Sequence, residues 1–180
     1  MNYDFCDTPI LRGTLRSLLL SRDRTADFSW RFLQILEEKY VSHVAMTDVE
    51  LRDYLSQPLI ADIATTKKDG SPQITPVWYD FDGTYMYVST TSDRAKARNI
   101  KRDNRIVISV RDKKAEKVVL FSGTASILDD RDHALVRRIA ARYTPPDQLE
   151  SFLNGLEANR VILRMKPTRT ISWDWTKSGT

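Results

Sequence analysis

The sequence predicts a mainly β fold: six antiparallel strands in a small closed or split barrel, flanked by helices. Three observations predict it. Runs rich in β-branched and aromatic residues fill most of residues 59–128, and two breaks between them are Asp69-Gly70 and Asp82-Gly83, the pairs that tight hairpin turns demand. Ile106, Ile108 and Val110 alternate with the period of a half-buried strand, whereas long stretches of helical period lie outside this block. Finally, six antiparallel strands leave few open edges only when the sheet curls towards closure.

Residues 1 to 24 show no sustained period and read as an irregular or weakly helical extension. From Ala26 to Tyr40 the set Phe28, Phe32, Ile35, Leu36 and Tyr40 recurs at helical spacing, so residues 1–46 form an N-terminal helical extension and 47–180 the barrel domain. Thr47 with Glu50 three residues on is a capping box, and Pro58 ends the short helix it opens, whose Leu51, Tyr54 and Leu55 face inward. Leu59 to Thr66, Gln73 to Phe81 and Tyr85 to Thr90 read as three strands in a meander, followed by a helix over roughly Arg94 to Arg102. Ile106 to Val110 is the fourth strand and Val118 to Leu128 the fifth, with Gly123 as a bulge or bend. Asp130 to Tyr143 is helical, Pro145-Pro146 separates it from a shorter helix ending near Leu156, and Arg160 to Met165 is the last strand. Pro167 is expected to break it before an extended tail to Trp175.

The totals narrow the chemistry. A chain of 180 residues, 41% of them hydrophobic, can bury a sizeable core in one barrel domain. One cysteine, Cys6, rules out an internal disulfide and a Cys-built metal site within one chain, and His43 and His133 lie ninety residues apart, so no metal is expected. No run of eighteen apolar residues occurs and the N-terminus makes a poor signal peptide, so the expected setting is the cytoplasm, away from membrane. The formal net charge is +4, yet Arg94 to Lys117 alone carries +7 and the remainder −3. A basic segment on a mildly acidic chain points to an anionic ligand, although charge runs are most often only solvated surface.

That segment adjoins the most informative stretch, Gln73 to Lys101. It joins a strand interrupted by Pro76, the hydroxyl triplet Ser89, Thr90 and Thr91, and a basic helix start carrying Arg94 and Lys96. A proline cannot donate to a sheet ladder, so its strand lies at an edge or faces a ligand. Two cations and two hydroxyls beside free helix-start amides can hold a phosphate, while a planar ring lies along the strand. Trp78 suits either the core or a cofactor wall, and Trp173 and Trp175 share one face of the tail, where they line a cofactor site or seal a dimer contact. Arg98 and Lys101 share a helical face with Arg94, whereas Lys96 lies on another, so part of the basic cluster is solvated.

The runs DGSPQITPVWYDFDG, YMYVSTTSDRAKARNIKRDNRIVISV and FSGTASIL resemble the split-barrel flavin and deazaflavin proteins of the pyridoxamine 5′-phosphate oxidase-like superfamily. The likeness is closest over Leu59 to Leu128 and looser at the closing strand. TPVW and RAKARNI look most like the branch that uses the deazaflavin coenzyme F420. The resemblance implies a homodimer with the cofactor in a groove between subunits. Thr75, Pro76, Val77 and Trp78 would lie along the ring, Thr90, Thr91, Arg94 and Lys96 would hold the phosphate, and Asn99 would brace the helix start. Members that oxidise pyridoxamine phosphate carry Arg and Lys where this chain has Gln73 and Trp78, which turns the reading away from that reaction.

The leading expectation is thus an oxidoreductase that uses F420, or else FMN, to transfer hydride to or from a small organic substrate, with no side chain required as acid. Two rivals stand beside it. One is a flavin- or haem-binding storage protein without turnover. The other, less favoured, is a nucleic-acid-binding barrel that stacks bases on aromatics such as Tyr85 and Tyr87 and weakens steeply with salt.

Overall fold

The computed structural model describes residues 45–179. The expected helix at Ala26 to Tyr40, Cys6 and His43 lie outside them. Seven antiparallel strands form one curled sheet: β1 (Ala61–Thr66), β2 (Pro72–Val77), β3 (Asp80–Phe81), β4 (Met86–Thr91), β5 (Arg105–Arg111), β6 (Lys117–Asp129) and β7 (Arg160–Asp174). Their order across the sheet is β2-β1-β5-β6-β7-β4-β3. Four α-helices accompany them: α1 (Asp48–Ser56), α2 (Ala95–Arg102), α3 (Ala134–Ala140) and α4 (Leu149–Asn154); a 3-10 turn, Trp175–Gly179, follows β7. The sheet keeps two free edges, β2 and β3, and is a half-barrel of the split-barrel type.

The seventh strand corrects the expected six. Gln73 to Phe81 does not run straight: it pairs with β1 as far as Val77, bends through Trp78 and Tyr79, and resumes as β3 against β4. The expected meander is therefore not formed, because β2 and β4 stand far apart in the sheet. Pro76, opposite Asp62, lies on edge strand β2, where a missing N–H leaves no ladder bond unmade.

Pro167 does not break the last strand either. β7 pairs with β6 throughout, and the register slips where Ser122 faces Arg169 and Gly123 faces Pro167, leaving Thr168 as the extra residue of a bulge. The Thr168 hydroxyl donates to Ser122 O at 3.2 Å. Gly123 is required here, since a Cβ would fall 2.1 Å from the Lys166 carbonyl oxygen. The bulge takes up the proline, and the two long strands stay paired as they curl.

Helix α1 follows its capping box: Thr47 N donates to Glu50 Oε2 at 2.7 Å and Glu50 N to Thr47 Oγ1 at 3.3 Å. Tyr54 and Leu55 are buried, and Tyr54 OH donates to Lys117 O at 2.8 Å, which fixes α1 against the start of β6. Helix α3 starts later than periodicity alone suggests. Buried Asp130 accepts from Leu135 N at 3.1 Å and Val136 N at 2.8 Å, while His133 sits at the N-cap with φ of 56°.

Apolar side chains divide between two clusters. The larger joins α1 to Ile63, Tyr79, Met86, Val88, Ile108, Val110, Phe121 and Leu163. The smaller gathers Tyr87, Ile162, Val136 and Ile139, with Trp78, Tyr143 and Leu153 against it, and so holds α3 and α4 to the sheet. Tyr87 and Val88 fall into different clusters because neighbouring strand residues point to opposite faces.

Candidate functional site

Strand β4 ends at Thr91, and a tight turn, with Arg94 N donating to Thr91 O at 3.1 Å, leads directly into α2. Strand β7 begins opposite, Thr91 facing Arg160. Between this pair of strand ends, the end of β2 and helices α3 and α4 lies a cavity of about 310 Å³. Seven of the ten residues singled out from the sequence line it: Pro76, Val77, Trp78, Thr90, Thr91, Arg94 and Lys96. Ser89, Val136, Ile139, Ala140, Phe152, Glu157 and Arg160 complete the lining.

Its charge is asymmetric. Arg94, Lys96 and Arg160 face a single carboxylate, Glu157. Burial pushes the Lys96 ammonium below its ordinary range, and repulsion from Arg94 adds to this. Arg160 is shifted down for the same two reasons, burial first, with Glu157 opposing. Arg160 Nη1 donates to Ser89 Oγ at 2.9 Å, but its buried Nε has no partner among the described residues. Thr90 and Thr91 are 5% and 2% exposed. Desolvated cations, a spare buried donor and buried hydroxyls together form a donor set suited to an anion. A phosphate fits that donor set.

The opposite side of the cavity is aromatic. Trp78 stacks on Tyr143 with centroids 4.9 Å apart and planes 5° from parallel, and meets Phe152 at 5.4 Å. The Tyr143 hydroxyl lies 2.8 Å from Leu59 O and 3.2 Å from Tyr79 O, towards which it donates, and accepts from Tyr79 N at 3.2 Å. One phenol thereby pins the bend between β2 and β3 that carries Trp78. Arg142 beside it reaches Asp80 Oδ1 at 3.0 Å, Leu55 O at 2.6 Å and Gln57 O at 3.0 Å, while Arg138 Nε meets Asp80 Oδ2 at 2.5 Å. Trp78 and Phe152 also line a second hollow of about 520 Å³, bounded by Tyr143 and polar residues including Asp147 and Gln148.

Three of the ten residues are elsewhere. Thr75 faces Ile63 in the β1–β2 ladder, next to the lining segment but not within it. Asn99 is buried under α2, where its Nδ2 donates to Thr65 Oγ1 at 3.0 Å and Gln73 Oε1 at 2.9 Å, tying the helix to β1 and β2. Trp173 pairs with Val118 near the far end of β7, thirteen residues from Arg160, and lies outside this cavity. Arg98 is exposed and donates to Asp93 O. Tyr87 is buried, with its hydroxyl donating to Asp82 Oδ2 at 2.7 Å, and Arg164 covers the Tyr85 ring, so neither offers a bare stacking face.

Arg160, Glu157 and the α3–α4 wall were not identified from the sequence. Arg160 reads there as the first residue of a strand and Val136 and Ile139 as ordinary packing. Strand pairing alone brings Arg160 beside the hydroxyl triplet, and the only hint was an arginine at the mouth of the closing strand.

A family model described as pyridoxamine 5′-phosphate oxidase matches residues 47–174. The conserved hypothetical protein Rv2991 from Mycobacterium tuberculosis is 28% identical, with a TM-score of 0.68 over 77% of this chain and 91% of that one. An F420 reductase is 29% identical, with a TM-score of 0.56 over 66% of this chain and 94% of its own. The haem storage protein HutZ from Vibrio cholerae shares the fold at 18% identity and a TM-score of 0.54, over 68% of this chain and 91% of that one.

Proposed function

The chain belongs to the pyridoxamine 5′-phosphate oxidase family, and from that premise we propose that it is an oxidoreductase binding a phosphorylated flavin-type cofactor, F420 in preference to FMN. The observation that carries this reading is the seat formed by Lys96, Arg160, Thr90 and Thr91, two desolvated cations and two buried hydroxyls at one end of the Pro76–Trp78 segment. Lys96 and Arg160, with Arg94 at the rim, would hold the cofactor's phosphate. Pro76 and Val77 at the end of edge strand β2, and Trp78 in the bend that follows, would face its ring. Tyr143 and Asn99 hold the two walls of the groove in place. When bound, the cofactor supplies hydride transfer to or from a small organic substrate; the protein's part is anchoring, orientation and exclusion of water. The same reading makes the working form a homodimer in which a second copy closes the groove, and gives Trp173 a place at that junction.

The preference for F420 is supported by the 29% identical F420 reductase. A haem role is less well supported, because the described residues that line the cavity include no His, Cys, Met or Tyr to serve as an axial ligand. The test is a titration of purified protein with F420 and with FMN at identical salt, following ring fluorescence, alongside the Arg94→Ala/Lys96→Ala variant. Binding of F420 at least tenfold tighter than FMN, lost in a variant whose circular dichroism is unchanged, is the expected result. Unaltered binding in the variant refutes the seat, and bound cofactor that reduces no acceptor favours storage over catalysis.

A further inference from the structure

The reading of this cavity as a phosphate seat leaves Glu157 unexplained, since a carboxylate beside an anion site opposes its ligand. The side chain is not placed there by chance packing. The loop between α4 and β7 that carries Glu157 is tied to the turn that carries Arg94: Ser92 N donates to Asn159 O at 3.0 Å, and Asn159 Nδ2 to Asp93 Oδ1 at 3.0 Å. Glu157 Oε1 is thereby held 3.9 Å from Arg94 Nη2, and both side chains are more than half exposed. Lys96 and Arg160 lie deeper and, among the described residues, have no carboxylate within 4 Å. The seat is thus graded: two inner cations with no carboxylate at ion-pairing distance, Arg160 feeling Glu157 only at longer range, and a rim cation that already has a partner.

We propose that Glu157 sets the charge class of the ligand, disfavouring a doubly charged phosphate monoester relative to a singly charged phosphodiester. This rests on the cavity being the cofactor's phosphate seat. A phosphate oxygen accepting from Arg94 at an ordinary hydrogen-bond distance lies roughly 7 Å from the Glu157 carboxylate. In solvent of high dielectric that separation costs a monoanion about threefold in affinity, and a dianion about the square of this, roughly tenfold. The exposed Arg94–Glu157 pair itself is worth little, so breaking it on binding adds only a small term. Discrimination therefore comes from repulsion that scales with ligand charge.

Three probes with one ring system separate the charges at pH 8: riboflavin, with no phosphate; the methyl ester of FMN, a singly charged phosphodiester; and FMN, whose monoester is a dianion above its second pKa of about 6. Each is titrated into wild-type protein, Glu157→Gln and Lys96→Ala. The expected result for Glu157→Gln is about tenfold tighter FMN, about threefold tighter FMN methyl ester and unchanged riboflavin; FMN binding that emerges only in this variant is the same result in stronger form. Equal gains for all three ligands, no gain, or a loss overturns the proposal. If Lys96→Ala still weakens FMN and its methyl ester but not riboflavin, the phosphate seat survives and only the role of Glu157 fails. If Lys96→Ala changes nothing, or no probe binds wild type, the seat fails and the proposal with it.

Discussion

Tyr143→Phe isolates the hydroxyl that pins the bend between β2 and β3, because it keeps the ring stacked on Trp78. The hydroxyl serves Leu59 O, Tyr79 O and Tyr79 N, and Tyr79 is 0% exposed, so its N–H has no solvent to turn to once the oxygen is removed. Losing the donated bond costs about 1 kcal/mol, and stranding a buried N–H costs about 1–2 kcal/mol more. The sum of about 2–3 kcal/mol corresponds to a urea midpoint lower by about 1 M for a slope near 2 kcal/mol/M. Equilibrium urea unfolding followed by tryptophan fluorescence measures it, with Tyr143→Leu in parallel. The leucine variant should lose a further 0.5–1.5 kcal/mol or so with the aromatic stack. A Phe variant within about 0.5 kcal/mol of wild type refutes the claim that this hydroxyl holds the bend.

Three further substitutions probe the scaffold. Gly123→Ala forces a methyl into the Lys166 carbonyl and should cost about 3 kcal/mol or more, seen as a large fall in urea midpoint or in soluble yield; a near-neutral effect rules out the tight bulge. Asp130→Ala removes the carboxylate that caps α3, and a loss of about 2–4 kcal/mol is expected from urea unfolding, with Asp130→Asn recovering part of it. Asp174 is buried, which alone would raise its pKa, yet hydrogen bonds from Thr176 and Lys117 more than offset this and depress it. A depressed carboxylate stabilises the fold above its unfolded pKa of about 3.9 and loses that contribution as pH falls through the folded value. Unfolding measured from pH 5 down to pH 2 should therefore steepen below about pH 4, and Asp174→Asn should show a shallower acid slope. An identical slope in the variant would remove Asp174 from the account.

Much of this protein can be read from one dimension of sequence because the relevant forces are local. The Thr47–Glu50 box, the Asp-Gly turns and the 3.6-residue period of the later helices each depend on neighbours a few positions away; the box and the turns are found where the pattern puts them, and helices occur within the later periodic segments. The hydroxyl triplet and the Arg94–Lys96 pair are contiguous, so their meeting in one cavity was visible in advance. The tertiary structure decided what no window could hold. Whether residues 73–81 continue straight depends on Tyr143, more than sixty residues later, which pins the chain at Tyr79. Whether Pro167 ends a strand depends on Gly123 across the ladder, which makes room for the bulge. Arg160 and Glu157 join the site because β7 pairs with β4 and an α4–β7 loop bonds to the turn before α2. Local preference is a matter of adjacent dihedrals and caps; the composition of the site is a matter of strand pairing, whose partners lie far apart along the chain.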